Sequence, residues 1–212
     1  MKNFINNIPK EKLQRYLFLG ALILVFVAFF ISLTLIKPED TPPNEQPPVN
    51  NDPDPDPEPV AEKFKIPTNE GEYRVVRKFY DVNASEEDQV LAIIQFGSSY
   101  STSNGISIAA KDGKGFSVTS AISGVVTTVS ESPIHGFIIT IEHDDDVFTE
   151  YSSLSEAKVK VGDTVKQGDV IGTSGESEYD EAAGNHVHFK IIKDNENYSP
   201  ETLIGKELKD VK

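Results

Sequence analysis

Cysteine is absent from the 212-residue sequence. Its absence excludes a disulfide framework and a metal site built from thiolates. Basic residues are also scarce, because 20 lysines and arginines stand against 34 acidic residues and leave a formal net charge of -14. So acidic a chain has no basic face for phosphate groups, and we therefore do not expect nucleic acid as a partner.

Charged residues are missing from one long stretch near the N-terminus. Tyr16 to Ile36 has no charge in 21 positions, which at about 1.5 Å per helical residue is enough to cross a hydrocarbon layer of about 30 Å. Four basic residues and one acid precede it. We predict residues 1–15 in the cytoplasm, a transmembrane helix at 16–36 and the rest outside. A cleaved signal peptide is the alternative, but the apolar run is long for one and no Ala-x-Ala site follows.

Residues 37–62 contain nine of the 13 prolines, including the run DPDPDPEP from Asp52 to Pro59. Proline fixes φ and removes a hydrogen-bond donor, while neighbouring acids repel each other. We predict an extended tether here, with a reach of about 80 Å at roughly 3.1 Å per residue.

Residues 63–212 have the composition of one globular domain, and about 150 residues are enough for a real core. Apolar residues alternate with polar ones in short runs separated by Gly, Asp, Asn or Pro, which predicts an all-β domain with an antiparallel sandwich or barrel-like sheet. A serine followed by acids at Ser85 to Val90 favours one short helical turn. Nine strands are predicted, at 73–80, 89–96, 106–110, 116–120, 124–129, 137–142, 147–152, 170–173 and 186–192.

Two histidines separated by one residue stand in the run Gly184 to Phe189. Alternate residues of a strand share a face, so we expect His186, His188 and Lys190 on one side and the apolar residues between them on the other. Such a pair is either two half-exposed strand histidines or part of a zinc site, with one ring as ligand and its neighbour free for acid-base work.

Paired glycine turns between valines at Val159 to Gly172 predict tightly reversed strands. Hairpins of this form recur in biotinyl-carrier-like modules, but no lysine stands at a tip in the setting that a biotinyl or lipoyl attachment needs.

A series of landmarks between Asn104 and Pro200 resembles the LytM-type peptidase family, also called M23 or lysostaphin-like endopeptidases. In chain order the landmarks are GISIAA, SGVV, Ile141-Glu142-His143, YSSL, VKVGDTVKQGDVIGTSG and GNHVHFKI. The resemblance implies a LytM-like fold.

Active members of that family hold zinc with a His-x-x-x-Asp motif and with the second histidine of His-x-His. Carried onto this sequence, these positions are Ser103, Ser107 and His188, and Ser153 stands where the family has a catalytic histidine. His186 matches the first histidine of the pair. A catalytic zinc needs three protein ligands and an open position. The resemblance therefore implies a degenerate domain without metal, cofactor or peptidase activity, in which His186 and His188 are remnants.

Other side chains do not restore the ligand set in this interpretation. His143 matches a family position on a core strand that is not a ligand, and His135 is predicted at a hairpin tip. Asp144, Asp145 and Asp146 form a charge run in a turn, where solvation is the simpler explanation. Lys190 adds a cation beside the pair, which disfavours a metal.

Within the family, the basic tail, the order of elements and the phrase GISIAAKDGKGF resemble sporulation members of endospore-forming Firmicutes. That resemblance implies a single-pass forespore membrane protein with its domain in the intermembrane space. Its implied partner is the ectodomain of a stage III sporulation AH-like protein in the mother-cell membrane, in a ring or another higher-order hetero-oligomer that supports engulfment and a channel between the cells.

We predict that the partner binds an exposed strand near the family's groove. The residues of this segment are Tyr100, Ser101, Thr102, Ser103, Asn104 and Gly105.

Three other functions remain open from the sequence. Degenerate LytM proteins also activate cell-wall amidases or hold peptidoglycan, although an amidase activator more often has a coiled coil and this chain has no heptads. A residual zinc endopeptidase is the third, and it would require a bound metal.

Overall fold

Short antiparallel strands make up most of the structure, a computed structural model that describes residues 61–69 and 71–212. The strands are β1 (Tyr73–Arg77), β2 (Ile93–Phe96), β3 (Ser99–Thr102), β4 (Ile106–Ala110), β5 (Ser117–Thr119), β6 (Gly124–Ser132), β7 (Gly136–Glu142), β8 (Val147–Ala157), β9 (Thr164–Val165), β10 (Val170–Ser174), β11 (Val187–Lys193) and β12 (Glu196–Tyr198). Two short α-helices, α1 (Glu86–Leu91) and α2 (Pro200–Leu203), and three 3-10 helices (Asp144–Asp146, Glu178–Ala183 and Leu208–Asp210) join them.

Ten of these strands form one sheet, with β11 near its middle. The order is β1-β4-β11-β8-β7-β6-β9, with β10 on β8 and β5, and β12 on β11. β2 and β3 form a separate hairpin. Each strand pairing is antiparallel, so the predicted all-β class is confirmed.

The main core lies against one face of this sheet. Val187, Phe189 and Ile191 on β11 are fully buried, while His188 and Lys190 between them are only half-buried, so the predicted alternation is confirmed. Phe189 packs against Tyr151 of β8 with ring centroids 5.2 Å apart. Burial of each large apolar side chain contributes about 1.5–3 kcal/mol as an upper estimate.

Gly105 lets β4 approach β11 closely. A Cβ atom at this position would meet the Phe189 carbonyl oxygen, and it would lie 2.8 Å from Cγ of Lys190 and 3.0 Å from Nε2 of His188. Only glycine therefore fits without a shift of the backbone or of the His188 ring.

The structure corrects several predicted strands, and the one predicted at 73–80 already ends at Arg77. The strand predicted from Gln89 is wrong in its first part, because Gln89 to Leu91 belong to α1 and β2 begins at Ile93. The predicted helical turn is confirmed, and it forms because the Ser85 hydroxyl caps it by accepting from the backbone N–H of Asp88 at 3.2 Å. In addition, twelve strands replace the nine predicted.

The predicted transmembrane helix at 16–36, the tail and most of the tether lie outside the described residues and stay predictions. Among the residues that are described, no helix is both long and apolar enough to span a bilayer. Glu62, which we placed at the end of the tether, binds the domain directly, since its carboxylate accepts from the backbone N–H and the hydroxyl of Ser123 at 2.8 and 2.7 Å.

Candidate functional site

A cavity of about 290 Å³ lies beside the histidine pair. β11 and the residue before it provide one wall, β8 the next, and the β6–β7 turn and the 3-10 helix Glu178–Ala183 close the sides. The lining residues are Ile94, Asn104, His135, Ile138, Glu150, Ser152, Ser153, Ser177, Tyr179, Asp180, His186, His188 and Lys190.

Both ring nitrogens of His188 have hydrogen-bond partners. Nδ1 lies 3.0 Å from the Ser107 hydroxyl and Nε2 lies 3.4 Å from Oδ1 of Asn104. Because an amide oxygen only accepts, Nε2 carries the proton and Nδ1 accepts from Ser107. Burial lowers the pKa of His188 to about 3, with a further contribution from the nearby Lys190 cation. His188 is therefore a neutral, hydrogen-bonded side chain at physiological pH.

His186 differs from its neighbour. The strand predicted at 186–192 included His186, but β11 begins at Val187, and His186 forms only an isolated bridge with Gly175. Its ring is fully buried, and Nδ1 donates to the Gly184 carbonyl oxygen at 2.7 Å. Nε2 has no hydrogen-bond partner among the described residues. Burial lowers the pKa of His186, so Nε2 is left as an unpaired acceptor at the cavity wall.

The serines at the family's ligand positions are both buried, but they behave differently. Ser107 is fully buried against His188, so the structure brings these two predicted positions together. The Ser103 hydroxyl instead donates to the Gly105 carbonyl oxygen at 2.8 Å and does not line the cavity.

Ser153, at the position of the family's catalytic histidine, lines the cavity in an unusual backbone conformation. Its φ is 61°, in the left-handed region that residues other than glycine rarely adopt. Its backbone N–H donates to the His135 carbonyl oxygen at 2.8 Å. Strain of this kind is concentrated at functional sites.

The charged groups of the cavity wall are paired. Lys190 binds Glu150 at 2.7 Å across the β8–β11 register. Arg77 binds both carboxylate oxygens of Asp180, at 2.6 and 3.0 Å, and the carboxylate is 3% exposed. Arg77, Glu150 and Asp180 were not predicted as site residues from the sequence. The strand pattern could have found Glu150, since it lies opposite Lys190.

Potential metal donors are not grouped here. Within residues 61–69 and 71–212, no three side chains of His, Cys, Asp or Glu lie close enough together to hold a metal ion. The two carboxylates that line the cavity, Asp180 and Glu150, are held in ion pairs by Arg77 and Lys190.

The segment predicted to bind a partner is partly exposed. Tyr100 on β3 is 70% exposed, and Asn104 is exposed beside His188. Ser101 turns inward and hydrogen-bonds the Tyr179 hydroxyl at 2.8 Å. Ser103 and Gly105 are buried, so only part of the segment is available to a partner.

Comparison with known proteins places this arrangement in a family. Residues 101–200 match the pattern of Peptidase family M23. The structure also superimposes with a TM-score of 0.68 on SpoIIQ in the SpoIIQ-SpoIIIAH pore forming complex, at 39% identity over 72% of this chain and 97% of that chain. The chain belongs to peptidase family M23. The predicted LytM resemblance is therefore confirmed.

Two further proteins extend the comparison. Stage II sporulation protein Q of Bacillus subtilis is 39% identical over 163 residues, and the match covers 76% of this chain but only 58% of that protein. A zinc containing peptidase from Vibrio cholerae shares the fold, with a TM-score of 0.51 and 24% identity over 66% of this chain and 39% of that chain.

Proposed function

We propose that this chain is a non-catalytic partner-binding protein of sporulation. It sits in the forespore membrane as a single-pass protein with a cytoplasmic N-terminus, and its M23-type domain binds a SpoIIIAH-type ectodomain of the mother cell. The complex supports engulfment and a channel between the two cells.

One observation supports the choice of a SpoIIIAH-type partner. The chain is 39–40% identical to SpoIIQ chains solved with SpoIIIAH, and it covers 97–100% of them. The folded part that binds SpoIIIAH in those complexes therefore has a counterpart along almost its full length here.

The donor set at the cavity supports a role without metal catalysis. A catalytic zinc needs three protein ligands and an open position for water. At the family's ligand positions this chain has Ser103, Ser107 and His188, and the described residues offer no other set of three. The site does not fit zinc, and no hydrolytic step follows from it.

The predicted segment Tyr100 to Gly105 remains our proposal for part of the partner site. Tyr100 presents a large exposed aromatic side chain, and aromatic residues of this kind dominate binding energy in protein interfaces. β2 and β3 pair only with each other among the described strands, so the hairpin also has a free edge to which a partner strand can add.

Complex formation tests the proposal directly. The full chain, purified in detergent micelles, is mixed with a SpoIIIAH-type ectodomain and analysed by size-exclusion chromatography with light scattering. We expect a stable hetero-complex without added zinc. No complex at tens of micromolar, with or without zinc, contradicts the proposal and turns attention to amidase activation or peptidoglycan binding.

A residual endopeptidase is the second candidate, and the unpartnered Nε2 of His186 is the observation that favours it. Metal analysis of the purified chain separates the two. One tightly held, chelator-sensitive zinc per chain supports the enzyme, while a metal-free chain that still binds its partner supports the binding protein.

A further inference from the structure

Exposed apolar side chains are concentrated in one segment of the chain. Nine large hydrophobic residues are exposed in the described part of the chain, and five of them lie between Val82 and Tyr100. This segment holds α1 and the β2–β3 hairpin, which stand apart from the large sheet. Clusters of exposed apolar residues on a soluble domain mark interaction sites.

One of the five, Phe96, already has a contact within the domain. Its ring lies 5.9 Å from the ring of Tyr179, on the same hairpin face as Ser101, which hydrogen-bonds the Tyr179 hydroxyl. Tyr100 lies opposite Gln95 on the other face. We call the remaining exposed residues, Val82, Val90, Leu91 and Tyr100, the outer patch.

The outer patch is held on a rigid support. A single residue, Ala92, separates α1 from β2. The Arg77 guanidinium donates to the Ile93 carbonyl oxygen at 2.6 Å and also binds the Asp180 carboxylate. Backbone bonds from Ser103 to Ala92 and from Lys78 to Leu91 join the same pieces. A preordered surface loses little conformational entropy when it binds.

The charges around the outer patch identify the kind of occupant. Asp81, Glu86 and Glu87 are exposed beside it, and the neighbouring cation Lys78 is already paired with Asp88 at 2.6 Å. The rim is therefore acidic. A second copy of this chain, with a net charge of -14, would be repelled. The predicted tether at 37–62 carries eight acids against one lysine and few large apolar residues, so it does not fit either.

We propose that the outer patch is a docking surface for an apolar protein surface rimmed by basic side chains, and that this surface belongs to the partner of the proposed function. The inference rests on that function and extends its site from the β3 segment to α1. Tyr100 is the anchor, Val90 and Leu91 widen the apolar contact, and Glu86 and Glu87 steer the basic rim.

Substitutions on the patch test the proposal with a matched control. Tyr100→Thr keeps strand propensity and Val90→Gln keeps helix propensity, so both leave the fold intact. Val161→Thr removes an apolar residue elsewhere that is 59% exposed. Calorimetric titration of a SpoIIIAH-type ectodomain into each full chain is expected to show about tenfold weaker binding for Tyr100→Thr, about threefold for Val90→Gln and no change for Val161→Thr.

The acidic rim is tested by salt. The double variant Glu86→Gln with Glu87→Gln is expected to weaken binding about threefold at low ionic strength and to match the wild type at about 0.5 M salt, where charges are screened. Wild-type affinity in all the patch variants overturns this inference and leaves the proposed function standing. A wild-type chain that does not bind at all overturns the proposed function first and this inference with it.

Discussion

The cavity and the outer patch are opposite kinds of surface. In the cavity, Lys190 and Asp180 are held in ion pairs and His188 has partners on both ring nitrogens. On the outer patch, Tyr100 and Val90 are 70% exposed and the acids beside them are exposed to solvent. A site whose polar groups are bound to one another has little left for a substrate. The difference supports our proposal that the partner binds the outside of the domain and not the cavity.

Core substitution should separate the two regions most strongly. Phe189→Ala removes a fully buried ring beneath the cavity and is expected to reduce the free energy of unfolding by about 3–5 kcal/mol. Tyr100→Ala on the outer patch is expected to stay within about 0.5 kcal/mol of the wild type. Urea unfolding followed by circular dichroism measures both. Equal losses in the two variants would mean that Tyr100 is a packing residue and not a docking residue.

The Arg77–Asp180 ion pair joins the two regions, and breaking it should have the second-largest effect on stability. Arg77→Met leaves the Asp180 carboxylate buried without its cation, which is expected to cost about 3 kcal/mol of unfolding free energy. The double variant with Asp180→Leu should regain most of that loss. Urea midpoints of the single and double variants are the measurement, and a double variant no better than the single one would show that the pair acts only through Arg77.

Acid should destabilise the cavity through its histidines. The pKa of His188 is lowered to about 3 in the folded protein, below the unfolded value of about 6.5. The unfolded chain therefore binds more protons below pH 6.5, and stability falls as the pH drops from there toward 3. Between pH 7 and 5 the free energy of unfolding should fall by about 1–2 kcal/mol more in the wild type than in His188→Gln. One titrating proton can change this free energy by at most about 1.4 kcal/mol per pH unit.

The check is a set of urea titrations of both proteins at pH 7, 6 and 5. Parallel stability curves would mean that His188 protonates in the folded state without cost, and that it is freer than its hydrogen bonds to Ser107 and Asn104 indicate.

The smallest effect has the opposite sign. Ser153→Gly relieves a left-handed conformation at φ 61° and is expected to stabilise the fold by about 0.5–1 kcal/mol. Ser152→Gly, one residue earlier on β8 and opposite His188 in the strand register, is the control and should destabilise slightly. The unfolding temperatures of both variants, compared with the wild type, test this prediction. A loss in Ser153→Gly would show that the hydroxyl holds the cavity wall.

The strand periodicity of β11 predicted which side chains enter the core, because alternation along a strand depends only on neighbours in sequence. His186 fell outside the strand because residues 184–186 turn, with Gly184 at φ 65° and His186 bonded to Gly175. The cavity walls depend on pairs such as Arg77 and Asp180, which are 103 residues apart. No local pattern identifies such a pair. The family resemblance found Ser107 beside His188 because it carries the three-dimensional arrangement with it.

The most direct measurement is a calorimetric titration of a SpoIIIAH-type ectodomain into the full chain in detergent, once after chelator treatment and once with zinc added. We expect the same affinity in both titrations, because Ser107 and Lys190 occupy the groups that a metal would need. Binding that disappears with the chelator and returns with one zinc per chain would contradict a metal-free binding protein and would make His188 a zinc ligand.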